Sequence, residues 1–256
     1  MNDIYLAPQA ELIHAPSPDG YGSVERAVIG DYHFVIGEVI NEAWEKTKGA
    51  KWPILAALGL YVLVYAAVVF VTEFVLSALG LTVTPVVDGS HLGTFRGYAF
   101  LQNMLVTVAT LPMMMGIFIL GLRRAMNAPL AATGIMRHYD KTVPLALTLW
   151  LMYVICIIGF VLFIIPGIYL SVAYYLAMPL VVEKGLGPWQ ALETSRKAVS
   201  KRWFSVFGLG VLVVLINMLG GLAFGVGLIW TLPFTVIVFG ILYRNMFGCE
   251  AATVAD

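Results

Sequence analysis

Residues 142–182 read TVPLALTLWLMYVICIIGFVLFIIPGIYLSVAYYLAMPLVV, a stretch without a single Asp, Glu, Lys, Arg or His. A helix that crosses a bilayer needs about 20 consecutive apolar residues, so this stretch is far too long for one crossing. Pro166-Gly167 interrupts it, and proline is tolerated in the first turn of a helix, where its missing N–H is not needed. The stretch therefore predicts two helices, over about 143–164 and 166–182, joined by a tight turn.

Four further apolar segments flank this hairpin, at about 52–81, 98–122, 204–225 and 228–247. The chain of 256 residues is 60% hydrophobic and 12% charged, whereas a soluble domain carries about 25% charged residues. We therefore predict an all-α, polytopic integral membrane bundle with six transmembrane helices. The predicted parts are a polar, flexible tail without a cleavable signal peptide (1–30), a single membrane domain (31–248) and a short C-terminal tail (249–256).

The positions of the basic residues predict an orientation, because short loops rich in Lys and Arg stay in the cytoplasm. With six crossings, all of the 15 Lys and Arg residues except Arg96 fall on one side of the membrane. An odd number of crossings destroys this segregation. The pattern thus predicts three in-out-in hairpins with both termini in the cytoplasm.

Two short patterns recur along the chain and suggest an internal repeat. Residues 110–112 and 231–233 both read Thr-Leu-Pro, and an arginine follows thirteen residues after each threonine. A glutamate also precedes a tryptophan by ten residues at both Trp52 and Trp203. We predict parallel repeats over 31–124, 125–184 and 187–248; because the shared runs are short, chance identity is the alternative.

Residues 34–47 and 188–203 have the spacing of amphipathic helices and are predicted to be cytoplasmic and interfacial. The second is expected to lie flat on the cytoplasmic leaflet and to prefer anionic lipid, with an apolar stripe formed by Trp189, Leu192, Val199 and Trp203. The candidate lipid-headgroup contacts are Arg196, Lys197, Lys201 and Arg202. The alternative interpretation is that both helices are anchoring elbows without a binding role.

A few residues within the apolar segments are candidates for a role in transport or bending. Glu73 follows Trp52 by about 31 Å of helix, which places it near the outer interface rather than at the bilayer centre. The weak transport candidates are Glu73, Asn103 and Asn217, and the structural or hinge candidates are Pro112, Pro166, Gly167 and Pro233. The sequence contains no His-Glu-x-x-His, Walker-type or Gly-x-Ser-x-Gly motif, so no catalytic residue, cofactor or metal site is predicted.

Three runs, FIIPGIY (163–169), PLVVEKG (179–185) and WQALETSRK (189–197), together resemble the YciC-like proteins. They are also similar to the membrane domain attached to some glycerophosphoryl diester phosphodiesterases. The tail YLAPQAEL (5–12) is similar to tails on such proteins. The resemblance implies a bacterial inner-membrane location. It does not imply phosphodiesterase activity, because a catalytic barrel needs about 250 residues of its own.

Three classes of function fit these observations. The first is a non-enzymatic inner-membrane protein in envelope organisation or lipid handling, with membrane lipids, including anionic ones, as partners and no nucleic acid. The second is a transporter or channel for a small molecule or lipid, and the third is an intramembrane enzyme. A continuous hydrophilic cavity favours transport, whereas a lipid-filled lateral groove favours the first class. The sequence specifies neither protein partners nor an oligomeric state.

Overall fold

The computed structural model describes residues 21–81, 92–222 and 225–255, without the side chains of residues 92–97. Most of the predicted N-terminal tail and the side chain of Arg96 lie outside the described residues. The helices are α1 (Val24–Ile29), α2 (Ile36–Thr47), α3 (Lys51–Ala78), α4 (Leu92–Ala125), α5 (Thr142–Leu162), α6 (Ile164–Ala173), α7 (Ala177–Glu183), α8 (Pro188–Lys201), α9 (Trp203–Leu222), α10 (Leu228–Phe247) and α11 (Ala251–Ala255). Two short 3₁₀ turns, Ala132–Met136 and Tyr139–Lys141, connect α4 to α5.

Six segments of this all-helical fold are long and apolar enough to span a membrane, as predicted. They are Lys51–Ala78, Tyr98–Ala125, Ala132–Leu162, Ile164–Glu183, Trp203–Leu222 and Leu228–Phe247. Large apolar side chains on their outer faces are strongly exposed, including Phe70 at 71%, Val161 at 79% and Phe204 at 83%. Contiguous apolar surface of this kind is rare on soluble monomers and is the normal lipid-facing surface of a membrane protein.

Helices α4 and α10 cross in backbone contact at the centre of the fold. A Cβ atom on Gly240 would lie 2.3 Å from the carbonyl carbon of Gly121, and one on Gly121 would lie 2.1 Å from the carbonyl oxygen of Val236. Small residues allow such close approach between membrane helices. Both helices continue through their buried prolines, Pro112 and Pro233, so neither proline ends its helix.

The predicted hairpin at 142–182 is present, and a turn divides its second arm, Ile164–Glu183, into α6 and α7. Phe163, with extended backbone (φ −160°, ψ 151°), separates α5 from α6, and Pro166 lies in the first turn of α6. The arms pack closely, since a Cβ atom on Gly167 would lie 2.3 Å from the Phe160 ring. Helix α6 has ten residues, about 15 Å of rise, and a turn separates it from α7.

Arginines at the ends of α4 and α10 tie the connecting segments to the bundle. Arg244 pairs with both carboxylate oxygens of Glu42, at 2.7 and 2.8 Å, and donates to the Ala125 carbonyl at 2.8 Å. Arg123, at the matching place in α4, donates to the carbonyl oxygens of Pro129 and Thr253 at 3.0 and 2.7 Å. Both side chains are buried, so each helix end is fixed by charge-assisted hydrogen bonds.

Candidate functional site

An open groove of about 870 Å³ lies between the first turns of α6 and the corner at which α8 gives way to α9. We call it the α6–α9 groove. Its apolar lining includes Ile165 and Ile168 from α6, and Phe204 and Phe207 from α9. Its polar lining comes from Ser200, Lys201 and Arg202 at the end of α8. Cations at the corner and apolar side chains one turn further along α9 are the two surfaces that an anionic amphiphile needs.

Trp203 holds the two walls of the groove together. Its indole N–H donates to the Tyr169 carbonyl of α6 at 3.1 Å. Its ring stacks on Phe207, with centroids 5.0 Å apart and planes 9° apart. The corner itself forms at Arg202, whose backbone leaves the helical region (φ −136°, ψ 41°). The sequence Arg-Trp at this position thus ends one helix and anchors the next.

The two cations of the groove rest on the segment that joins α1 to α2. The Arg202 guanidinium lies 5.8 Å from the centre of the Tyr32 ring, and the Lys201 stem packs on Gly30, where an added Cβ would be 3.1 Å from its Cγ. Tyr32 donates its hydroxyl to the Ala198 carbonyl at 2.8 Å. Burial raises the pKa of Tyr32 to about 12, so this donor keeps its proton and α8 stays attached.

The other two predicted headgroup contacts lie outside the groove. Arg196 forms a two-pronged pair with Glu193, at 2.8 and 2.9 Å, and Lys197 lies 3.3 Å from the same carboxylate. The Arg196 hydrogen bond holds the pKa of Glu193 below its ordinary value. Leu192 and Val199 of the predicted membrane-facing stripe are fully buried in the hydrophobic packing of the protein. Leu192 and Val199 therefore face protein instead of lipid, which corrects that part of the expectation, whereas Trp189 of the same stripe is 64% exposed.

The groove also brings together two places that the predicted topology separates. An in-out-in hairpin would put Pro166 near the outer surface and Arg202 at the inner surface, about 30 Å apart across the hydrocarbon. In the structure the Tyr169 carbonyl oxygen accepts a hydrogen bond from Trp203. Phe163, at the tip of the hairpin, precedes Tyr169 by six residues, which corresponds to only about 9 Å of helix rise. The hairpin tip therefore lies within about half of the hydrocarbon thickness from the α8–α9 corner.

The three transport candidates occupy three separate places. Glu73 accepts hydrogen bonds from the Tyr98 hydroxyl and, at 2.9 Å, from the Gln102 amide. Asn103 lies on the wall of a largely apolar groove of about 400 Å³ between α4 and α5. Asn217 donates to Thr235 of α10 at 2.7 Å. The α6–α9 groove, this α4–α5 groove and the two cavities described below are each lined by at most one of these three side chains.

Two polar sites were not predicted. A cavity of about 380 Å³ at the α2–α3 corner is lined by lysines and three tryptophans. A second cavity, of about 280 Å³, is lined by Arg123, Glu183 and the C-terminal segment. The buried Glu183 carboxylate accepts from the Tyr243 hydroxyl at 3.0 Å and from the Glu250 N–H, so the C-terminal residues pack against the bundle. The predicted helix over 166–182 ends one residue before Glu183, and the sequence predicted no contact for that carboxylate.

In the part of the chain that the structure describes, no three His, Cys, Asp or Glu side chains gather as metal ligands. No family model, curated protein or solved structure matches the chain. The resemblance to the YciC-like proteins therefore rests on the short runs quoted above.

Proposed function

We propose that this is a non-enzymatic bacterial inner-membrane protein of lipid handling, which binds anionic phospholipid in the α6–α9 groove. The observation that carries the proposal is the junction of two cations, Lys201 and Arg202, with an exposed apolar wall that includes Ile165 and Phe204. The phosphate of the lipid lies against the cations, and one acyl chain lies along the wall. The bacterial inner-membrane location rests on the resemblance.

The expected selectivity comes from the headgroup, not from the acyl chain. A lipid chain that enters the groove leaves a bilayer that is as apolar as the groove, so it gains little hydrophobic free energy. Each Lys or Arg near an anionic lipid contributes about 1 kcal/mol. Two such cations favour an anionic headgroup over a zwitterionic one by about 2 kcal/mol, roughly a thirtyfold preference at low salt.

The proposed topology keeps both termini in the cytoplasm and α3–α4 and α9–α10 as in-out-in hairpins. We take the α5–α6 hairpin to be re-entrant, since its tip lies beside the corner that carries Lys201 and Arg202. Residues 142–182 contain no charge, so the segregation of basic residues is the same whether this hairpin crosses or returns. Gln190→Cys and Arg137→Cys would then react only from the cytoplasmic side, and external labelling of either contradicts the topology.

The alternative function is a transporter or channel for a small molecule or lipid. It is favoured by the polar cluster that Glu73 forms with Tyr98 and Gln102 between two membrane helices, because ionisable groups in such helices often mark a transport path. Uptake assays on proteoliposomes that compare Glu73→Gln with the wild type test this alternative.

The test of the lipid proposal is a binding comparison in nanodiscs. Wild-type protein should prefer phosphatidylglycerol over phosphatidylcholine about thirtyfold. The double variant Lys201→Gln/Arg202→Gln should lose most of this preference. The matched control, Arg196→Gln/Lys197→Gln, removes the same charge from the same helix outside the groove and should keep it. An equal loss in both double variants would show that only the net charge of α8 matters and would refute the groove as the site.

A further inference from the structure

The corner between α2 and α3 holds a second cavity of mixed character. It has a volume of about 380 Å³, within the range of about 300–1,000 Å³ found for small-molecule sites. Its lining includes Lys48, Lys51, Trp44, Trp52 and Trp230, and no carboxylate. The Lys51 ammonium lies 4.6 Å from the centre of the Trp230 ring and 5.3 Å from that of Trp52. The indole rings thus keep this cation at the cavity.

Most of the polar side chains that line this cavity are hydrogen-bond donors. The indole N–H groups of Trp44, Trp52 and Trp230 donate to no other described residue, and an indole nitrogen donates only. The Thr47 hydroxyl already donates to the Ala43 carbonyl at 2.8 Å, which leaves its oxygen as an acceptor. Lys46, by contrast, is bonded to Asn127 at 2.6 Å and does not line the cavity. Two lysines and three tryptophans on one lining provide positive charge and N–H donors, which together favour a phosphate.

This corner is also the counterpart of the α8–α9 corner within the predicted repeat. A basic residue immediately precedes the tryptophan at both places, Lys51 before Trp52 and Arg202 before Trp203. In both, one helix ends and the next begins within a few residues of that pair. Each corner opens a cavity lined by its own basic residue and tryptophan. Two equivalent corners with the same chemistry argue for the same kind of ligand.

We propose that the α2–α3 corner is a second binding site for an anionic phospholipid headgroup, formed by Lys48, Lys51 and the three indole N–H groups. The ligand class rests on the proposed function of the α6–α9 groove, whereas the site itself is independent of it. Exposed tryptophans, such as Trp52 at 71%, favour the headgroup region of a bilayer. In the proposed topology the corner lies at the cytoplasmic end of α3, in the headgroup region, so a membrane lipid is the occupant.

The experiment is photo-crosslinking of the full chain in nanodiscs with a phosphatidylglycerol analogue that carries its reactive group beside the headgroup. Peptide mapping should find adducts in two separate regions, 44–52 and 200–207. Lys48→Gln/Lys51→Gln should lower the adducts in 44–52 at least about fivefold and leave those in 200–207 unchanged. Lys46→Gln is the matched control and should change neither. Circular dichroism melting of each variant verifies that it folds.

The outcomes separate the two proposals. Adducts in 200–207 without adducts in 44–52 overturn the second site alone, whereas the reverse overturns the α6–α9 groove alone. Equal labelling of 44–52 by a phosphatidylcholine analogue shows that the net negative charge of the headgroup is not recognised there and overturns the proposal. Displacement of the lipid by millimolar glycerol phosphate would identify a site for a soluble anion and would also overturn the proposal.

Discussion

The backbone contact between α4 and α10 allows a prediction from geometry alone. In a Gly240→Ala variant the new Cβ would lie 2.3 Å from a backbone carbon of Gly121, so the helices must separate by about 1 Å or more. A gap of 0.5–1 Å forfeits about a quarter to a half of each dispersion contact along the interface. Adding atoms to a well-packed position typically lowers the free energy of unfolding by about 1–3 kcal/mol, occasionally more. Because the added Cβ meets backbone atoms, we expect a loss of about 3 kcal/mol for Gly240→Ala.

The assay is thermal unfolding in mild detergent, followed by circular dichroism. A loss of about 3 kcal/mol should lower Tm by roughly 6–12 °C for a chain of this size. Gly210→Ala is the matched control, because a Cβ there meets nothing within 4 Å. The better helix propensity of alanine should make that control neutral or stabilising by up to about 1 kcal/mol. If the two variants melt within about 2 °C of each other, the backbone contact between α4 and α10 is wrong.

Three further perturbations follow from buried polar contacts. Arg244→Met should lower the free energy of unfolding by about 3 kcal/mol, because it removes the donor to Glu42 and to the Ala125 carbonyl. Glu42→Gln should lower it by less. The reverse order of the two variants in a melting assay would contradict the pairing. Tyr243→Phe should lower the free energy of unfolding by about 1–3 kcal/mol, since the buried Glu183 carboxylate loses a donor. An unchanged Tm would argue against that hydrogen bond. Burial raises the pKa of Cys249 to about 12, so its thiol stays protonated at pH 8 and should resist iodoacetamide until the protein is unfolded. Rapid alkylation of the folded protein would show that Cys249 is not buried.

The sequence predicted the six apolar segments well but not which of them pack side by side. Hydropathy measures the length of an apolar run, and the positive-inside rule uses charged loops. The turn at Phe163 has no charged residue on either side between 142 and 182. Neither signal can therefore tell a crossing hairpin from a re-entrant one. The contact between Tyr169 and Trp203, which joins residues 34 positions apart, is the observation on which the proposed re-entrant hairpin rests.

The candidate groove was predictable on one side only. The sequence predicted Lys201 and Arg202 as lipid-headgroup contacts. It predicted no role for Ile165, which lies more than 30 residues earlier in an unbroken apolar run. Nothing local distinguishes an isoleucine that lines a groove from one that meets lipid. The pairing of Arg196 and Lys197 could have been foreseen, because Glu193 precedes them at i−3 and i−4 on one helix face.

The central claim is that the α5–α6 tip and the α8–α9 corner form one lipid groove inside a membrane. The most direct measurement is the distance between spin labels at Ile165→Cys and Phe204→Cys, with Cys156 and Cys249 replaced by serine, in phosphatidylglycerol nanodiscs. The groove predicts a distance below about half of the hydrocarbon thickness of ~30 Å, label length aside. A distance of about 30 Å or more would place the two residues on opposite surfaces and contradict the account.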